Sequence, residues 1–214
     1  VIRFDNRDVG LSSTTAATPP SFGEMATLFG PRPARRPVPY TLSDMASDAA
    51  AVLDDAGVEA AHVVGASLGG MIAQTLAIER PERLRSLTSI MSKTGALHVG
   101  LPTPRVLRKV MQPTPVERDL ALAYELERAE VTCGPLFDRD AMETFLAEAY
   151  ERSPERGGMA FQLSAMFASG DRTRALRNLD VPTLVIHGRA DGLVRLSGGV
   201  ATARAIPGAA LEVH

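Results

Sequence analysis

The feature that most constrains the fold is a turn of the form Gly-x-Ser-x-Gly at residues 65–69. The short apolar run before it, residues 61–64, predicts a buried strand, and residues 68–79 predict a helix. A serine at the tip of such a strand–turn–helix unit has a strained backbone, and its hydroxyl projects clear of the sheet. We therefore expect Ser67 to be accessible at the carboxyl end of a strand.

The positions two before and two after this serine are expected to be crowded by neighbouring backbone. Gly65 and Gly69 would meet that requirement, since neither carries a Cβ. The helix that follows directs its free N–H groups and the positive end of its dipole at the same place. The N–H of Leu68 could then stabilise an oxyanion formed beside Ser67. The alternative for Ser67 is a structural serine in a tight turn.

Patterns on either side extend this unit into an alternation of strands and helices. Further elements are predicted at residues 41–57 (helix), 87–91 (strand), 181–188 (strand), 197–205 (helix) and 209–214 (strand). Thr41 is the predicted N-cap of the first of these helices, with Asp44 in its first turn. Strands that alternate with helices favour a parallel sheet with helices on both faces. The sequence therefore predicts the α/β class.

The stretch between two of the predicted strands has a different character. Prolines interrupt residues 95–115, and residues 116–179 carry helical patterns without a strand pattern. We predict that residues 1–94 and 181–214 form an α/β core, with residues 95–180 inserted in it as a helical cap. Most Leu, Met and Phe side chains of this cap are expected to be internal packing, while a minority could line a pocket for an apolar ligand.

Loops are predicted for most of the first forty residues. In the polar segment 5–12, Asp5 and Arg7 either contact substrate or, as the commoner alternative, hold the loop by charge-assisted hydrogen bonds. Residues 13–40 are rich in Thr, Ser, Pro, Gly and Arg. They predict an irregular surface loop with a turn of helix near residues 22–29.

Charge and composition restrict the possible partners. The 214 residues carry a formal net charge of −2, and no block of like charge suggests binding to nucleic acid or to an anionic membrane. No apolar run is long enough to span a bilayer, and the start of the chain lacks the pattern of a signal peptide. The single cysteine, Cys133, excludes an internal disulfide. It is either a reactive thiol or, as the commoner alternative, a small buried or semi-buried packing residue. These features fit a cytoplasmic protein.

Four segments together resemble the α/β-hydrolase superfamily, from the middle of its sheet nearly to its end. They are residues 5–12 (DNRDVGLS), 65–69 (GASLG), 80–84 (RPERL) and 181–191 (VPTLVIHGRAD). Within the superfamily, the chain is similar to capped serine esterases of the aclacinomycin methylesterase type. The resemblance implies an α/β-hydrolase fold that lacks both ends and carries an inserted helical cap.

The resemblance also implies Ser67 as the nucleophile, Asp191 as the acid of a catalytic triad and the Leu68 N–H as one oxyanion donor. The chemistry is consistent with these roles, because a serine hydroxyl needs a histidine to accept its proton and a carboxylate to orient that histidine. This fold uses the chain order serine, acid, histidine. For Asp191, the alternative is a loop aspartate that caps a turn.

No histidine of the chain occupies the position that the resemblance implies for the base. That position is a loop just beyond the last strand, and the chain ends within the predicted last strand. The four histidines, each expected to have another role, are His62, His98, His187 and His214. We expect the base to lie beyond residue 214 and the second oxyanion donor to lie before residue 1. The 214-residue chain would then be nearly inactive.

These observations predict a serine hydrolase that cleaves a small-molecule carboxylic ester, of apolar character, through an acyl-enzyme on Ser67. No metal or cofactor is expected to take part, because the sequence has no metal-binding cluster and no phosphate-binding glycine loop. Two alternatives remain open. One is the same fold with other chemistry, such as cofactor-free haloperoxidase activity or hydrolysis of a carbon–carbon bond or a lactone. The other is a non-catalytic hydrolase-like binding protein or an inactive fragment.

Overall fold

A computed structural model describes residues 1–20, 38–115, 117–135, 137–152 and 158–214 of the chain. The helical turn expected near residues 22–29, and most of the loop expected around it, lie outside the described residues. In chain order the described elements are α1 (Leu42–Asp55), β1 (Ala61–Ala66), α2 (Leu68–Glu79), a 3-10 turn (Pro81–Arg83), β2 (Leu84–Ile90), α3 (Pro104–Val110), α4 (Arg118–Thr132), α5 (Arg139–Arg152), α6 (Gly158–Ala168), α7 (Thr173–Leu176), β3 (Thr183–His187), α8 (Ser197–Ala205) and β4 (Ala210–Val213).

The four strands form one sheet in the order β1-β2-β3-β4, and every pair is parallel. Helix α2 packs on β1 and β2, and α8 packs on β3 and β4. The predicted α/β class is confirmed. Because all four strands run the same way, their carboxyl ends meet at one edge, where Ala66 pairs with Ile90, which pairs with Ile186.

Helix α1 begins as its sequence predicts. The Thr41 hydroxyl accepts a hydrogen bond from the Asp44 N–H at 3.5 Å, and the Asp44 carboxylate accepts one from the Thr41 N–H at 2.7 Å. This capping box satisfies two N–H groups that the start of the helix leaves free. The apolar side of α1, including Leu42 and Met45, is then buried in the core.

The hydrophobic core is centred on α2. Residues 70–77 of this helix are all buried, because α1 and the sheet pack around it. A helix that is apolar on nearly all sides is stable only inside a protein, which fits this position. Helices α6 and α7 also contribute to the same core, through Phe161, Ala165 and Leu176.

The two faces of the sheet differ in burial. On one face Leu87 and Val185 are fully buried beneath helices. On the other face Val64, at the edge strand β1, is 65% exposed, and Ala66 and Ala210 are exposed as well. The described residues thus cover one face of the sheet more completely than the other.

Two boundaries differ from the sequence-based expectation. The strand predicted at residues 87–91 begins three residues earlier, at Leu84, because the 3-10 turn ends α2 and returns the chain directly to the sheet. Pro104 does not break the chain but starts α3, since the first position of a helix needs no N–H donor. The Thr103 hydroxyl caps this helix by accepting from the Val106 N–H.

Between β2 and β3 the described residues form helices α3 to α7 and contain no strand. The division into a core of residues 1–94 and 181–214 and a cap of residues 95–180 stays a prediction. None of the helices in the described part of the chain is long and apolar enough to cross a membrane.

A buried arginine joins the two segments that connect this helical region to the sheet. Arg172 donates to the carbonyl of Lys93 at 3.1 Å and to that of Gly170 at 3.3 Å. Its backbone N–H donates to the Thr94 carbonyl at 2.9 Å. Burial lowers the pKa of Arg172 to about 10. The segment that leaves β2 and the segment that leads back toward β3 therefore lie side by side.

Candidate active site

Ser67 lies between β1 and α2 as the N-cap residue of the helix, with φ +51° and ψ −116°. Residues other than glycine rarely adopt this conformation, and it stores backbone strain. Ser67 is partly exposed, and no hydrogen bond to its hydroxyl is present among the described residues. The structure therefore places an unengaged hydroxyl at the carboxyl edge of the sheet.

The glycines around Ser67 have different roles from those expected. A Cβ at Gly65 would overlap the backbone of Gly69, so this position must be glycine. A Cβ at Gly69 would meet nothing within 4 Å, and the expectation that Gly69 must be very small is wrong. Gly70 is crowded instead, because a Cβ there would lie 2.7 Å from the Ser92 Cβ. Gly70 is thus the glycine that lets α2 pack closely against the segment after β2.

This difference predicts opposite results for two alanine substitutions. We expect Gly65→Ala to destabilise the protein by about 3 kcal/mol, because the new methyl group would meet backbone rather than a side chain that can move. Gly69→Ala is the matched control and should change the free energy of unfolding by less than about 1 kcal/mol, because alanine favours a helix. Urea denaturation measures both, and equal losses would contradict this reading of the turn.

Helix α2 begins at Leu68 without a side-chain cap. The first N–H groups of a helix have no partner within the helix, and the positive end of the helix dipole lies beside them. The Leu68 N–H donates no hydrogen bond within the described part of the chain. An anionic oxygen beside Ser67 would find this donor available.

Asp191 lies in the loop that follows β3, and its side chain is 13% exposed. Its Oδ1 accepts hydrogen bonds from the N–H groups of Leu193 at 2.9 Å and Val194 at 2.8 Å. Its Oδ2 accepts no hydrogen bond within the described residues. Asp191 therefore caps its own turn, as one alternative expected, and still presents a second oxygen in a fixed direction.

Ser67 and Asp191 lie at the same edge of the sheet. Ser67 directly follows β1, and Asp191 lies four residues beyond the end of β3. Since β2 separates these strands, their carboxyl ends are about 10 Å apart. The structure thus brings the two residues to one edge of the sheet, and no hydrogen bond joins them within the described residues.

His187 is the histidine nearest to Asp191 in sequence, and it is fully buried. Its Nε2 lies 3.6 Å from Asp191 Oδ2 and is hydrogen-bonded to the Val194 carbonyl oxygen. Gly199 makes room for its ring, because a Cβ there would lie 2.5 Å from Nδ1. These contacts support the structural role expected for His187.

The other three histidines make no hydrogen bond to Ser67 within the described residues. His62 pairs with the Ser86 hydroxyl at 2.8 Å, toward the amino end of β1. His98 is exposed in the segment between β2 and α3. The side chain of His214, one residue beyond β4, is 71% exposed.

Comparison with known proteins decides the family. The model of the alpha/beta hydrolase fold family matches residues 1–214. The chain belongs to the α/β-hydrolase family. The resemblance carried by the four sequence segments predicted this membership, and it is confirmed.

Relatives of this α/β-hydrolase include enzymes with several substrates. It is 43% identical over 99 residues to rhodomycin D methylesterase DnrP of Streptomyces peucetius, covering 46% of this chain and 26% of that protein. It is 33% identical over 180 residues, or 80% of this chain, to a putative carbamate hydrolase, RutD, of Azorhizobium caulinodans. It is 30% identical over 183 residues, or 81% of this chain, to 2-hydroxymuconate semialdehyde hydrolase of Pseudomonas putida. The chain spans 63% and 61% of the lengths of the last two relatives.

Solved structures support the same fold. Est816, described as an N-acyl homoserine lactone degrading enzyme, superposes with a TM-score of 0.68 at 23% identity, over 98% of this chain and 72% of that one. A hydrolase from Pseudomonas aeruginosa gives a TM-score of 0.64 at 23% identity, over 99% of this chain and 70% of that one. At this identity the likeness concerns the fold alone.

The segment after β2 holds a residue that the sequence analysis missed. The Ser92 hydroxyl donates a hydrogen bond to the Ser67 carbonyl oxygen at 2.8 Å. The Ser67 N–H in turn donates to the Ile90 carbonyl at 2.9 Å. No sequence pattern marks Ser92, because the contact joins residues that are 25 positions apart.

Ion pairs with helices α1 and α5 hold the first polar loop of this α/β-hydrolase. The Arg7 guanidinium donates to both carboxylate oxygens of Asp48 at 2.6 Å, which raises the pKa of Arg7. Asp5 accepts from the Leu11 N–H at 3.0 Å and from Arg152 at 2.7 Å, and these bonds lower the pKa of Asp5. The contacts support the loop-holding alternative for Asp5 and Arg7.

A cleft of about 660 Å³ lies between this loop and α5. It is lined by Arg3, Phe4, Asp5, Val9, Gly10, Phe145, Glu148, Ala149 and Arg152. Neither Ser67 nor Asp191 borders the cleft, so it is not part of the candidate active site.

Proposed function

We propose that this α/β-hydrolase cleaves a small-molecule carboxylic ester through an acyl-enzyme on Ser67. The observation that carries the proposal is the left-handed backbone of Ser67 at the uncapped start of α2. In that geometry the Ser67 hydroxyl and the Leu68 N–H belong to adjacent residues, and neither has a hydrogen-bond partner among the described residues. Acyl transfer requires a nucleophile and an oxyanion donor side by side. Asp191, at the same sheet edge, is the proposed triad acid, and the Leu68 N–H is one proposed oxyanion donor.

The proposed reaction has two halves. Ser67 Oγ attacks the ester carbonyl carbon while a histidine accepts its proton, and the Leu68 N–H stabilises the oxyanion that forms. The tetrahedral intermediate expels the alcohol, which takes the proton from the histidine and leaves an acyl-enzyme. Water, activated by the same histidine, then attacks the acyl-enzyme and releases the acid. Asp191 Oδ2 would accept a hydrogen bond from the histidine and stabilise its charged form.

The histidine is proposed to lie beyond residue 214. The serine–acid–histidine order of the family favours that position, and His62 and His187 already have hydrogen-bond partners elsewhere. The second oxyanion donor is proposed to precede residue 1. The chemistry needs neither metal nor cofactor, and the single cysteine fits the proposed cytoplasmic location.

A methyl ester is favoured as the substrate by the identity to a methylesterase over 99 residues. The proposed apolar character of this ester rests on the Leu, Met and Phe content of residues 95–180. The relatives named as a carbamate hydrolase and a 2-hydroxymuconate semialdehyde hydrolase keep other substrates open for the same nucleophile. A panel of methyl esters, carbamates and lactones, compared by kcat/KM, separates these alternatives, and a preference for methyl esters is expected.

The experiment compares the 214-residue chain with the protein that its gene encodes, using p-nitrophenyl butyrate. We expect turnover by the protein as encoded and hydrolysis barely above background by the 214-residue chain, because loss of a triad base costs several orders of magnitude in rate. Brisk turnover by the 214-residue chain that Ser67→Ala abolishes would show that one of its own histidines serves as base. His98→Ala and His214→Ala would then identify it.

A further inference from the structure

Both backbone polar groups of Ser67 are tied to the segment that follows β2. The Ser67 N–H donates to the Ile90 carbonyl, and the Ser67 carbonyl accepts from the Ser92 hydroxyl at 2.8 Å. The Met71 N–H also donates to this carbonyl, as the first hydrogen bond of α2, but at 3.3 Å. Of the two hydrogen bonds that hold the carbonyl, the one from the Ser92 hydroxyl is therefore the shorter.

Two unusual backbone features bring Ser92 to this position. Met91 has φ +42°, a left-handed conformation that a methionine adopts only when its surroundings hold it there. Gly70 leaves the space, because a Cβ at that position would lie 2.8 Å from the Ser92 Oγ. Ser92 is 1% exposed, so water does not compete for its hydroxyl. The contact is buried and built by the fold.

The Ser67 carbonyl and the Leu68 N–H belong to one peptide group. This peptide is trans. Because a peptide group is planar, its C=O and N–H bonds lie in one plane and point in opposite directions. A hydrogen bond that fixes the carbonyl therefore fixes the direction of the N–H. It also polarises the peptide, which makes the N–H a better donor.

We propose that Ser92 is a positioning residue that aims the Leu68 N–H at the oxyanion. This inference rests on the proposed function, in which that N–H stabilises the tetrahedral intermediate. Ser92 is buried, and its hydroxyl contacts the backbone carbonyl of Ser67 rather than the Ser67 hydroxyl. Its effect passes through the 67–68 peptide, whose carbonyl it holds together with the Met71 N–H.

The proposal predicts a selective loss of kcat in Ser92→Ala, measured in the protein as its gene encodes it. Removal of a whole oxyanion donor costs about 100- to 1000-fold, so a misaimed donor should cost about 10- to 100-fold in kcat. KM should change less than about threefold, since the donor acts on the transition state rather than on the bound ester. Inhibition by a trifluoromethyl ketone, which forms a tetrahedral oxyanion on the serine, should weaken by the same factor as kcat/KM.

Ser89→Ala is the matched control. Ser89 lies on β2, is equally buried, and bonds to the Gln74 side chain at 3.2 Å rather than to Ser67. It should lose comparable stability, read as Tm, while kcat stays within about twofold of the parent. Ser92→Cys keeps a donor, though a weaker one, on a slightly larger side chain, and its kcat should fall between those of the parent and Ser92→Ala. If Ser92→Ala does not fold, kcat and ketone inhibition are measured on Ser92→Cys instead.

The outcomes separate the two proposals. If Ser67→Ala keeps the parent's activity, the proposed function is wrong. If Ser67→Ala is inactive and Ser92→Ala (or Ser92→Cys) matches Ser89→Ala in kcat and in ketone inhibition, the role of Ser92 is wrong and the proposed function stands. A loss of kcat and of ketone affinity confined to the Ser92 variants supports the positioning role.

Discussion

Replacing Ser67 with alanine is expected to abolish ester hydrolysis and leave the fold intact. Loss of the nucleophile in a triad enzyme lowers kcat by about 10⁴-fold or more, since only binding and the oxyanion donors then remain. The fold should be unaffected for two reasons. The Ser67 hydroxyl makes no hydrogen bond within the described residues, and alanine has the same Cβ, so the strain at φ +51° does not change.

Hydrolysis of p-nitrophenyl butyrate and Tm together measure this result, and a fluorophosphonate probe supplies an independent reading. The probe should label the peptide that contains Ser67 in the parent, and the label should be lost in Ser67→Ala. Ser43→Ala is the control, because Ser43 is an exposed serine on α1 whose hydroxyl bonds to Glu79. Full activity in Ser67→Ala, or label on another serine, would mean that the turn is structural.

The second large effect is expected for Asp191→Asn, which should lower kcat by about 10⁴-fold without unfolding the loop. The amide oxygen can still accept from the N–H groups of Leu193 and Val194, as Oδ1 does in the parent. An NH₂ group would replace Oδ2, and it donates where the carboxylate accepts. The histidine would then be held in the wrong tautomer and its charge left unbalanced.

Asp171→Asn is the matched control for this substitution. Asp171 also caps its own turn, because its Oδ1 accepts from the Thr173 N–H at 2.8 Å and from the Thr173 hydroxyl. It should keep kcat within about twofold of the parent. Kinetics and Tm of both variants decide between the two interpretations of Asp191. If Asp191→Asn behaves like Asp171→Asn, Asp191 only caps its turn.

The elements that the sequence predicted well are those with local causes. The Thr41 cap and the apolar spacing of α1 lie within one short segment, as do Gly65 and the start of α2. The expectation for Gly69 failed because crowding at the turn depends on how α2 meets the end of β2, which no local pattern contains. Pro104 was taken only as a break, since a proline at the first position of a helix looks the same in sequence as one that ends it.

The sequence by itself determined the Gly-x-Ser-x-Gly turn, the alternation of strands and helices, and the family, because each depends on residue types at short or fixed spacings. Only the tertiary structure decided which groups hold that turn and how the carboxylate is presented. Ser92 reaches Ser67 across 25 positions, and in the same way Arg7 ties the first polar loop to α1 by reaching Asp48 across 41 positions. Asp191 Oδ2 accepts no hydrogen bond within the described residues, although His187 Nε2 lies 3.6 Å from it, and this too is known only once the backbone of the loop is placed. The contacts that hold the serine turn in place are therefore made by long-range packing, which its local sequence does not contain.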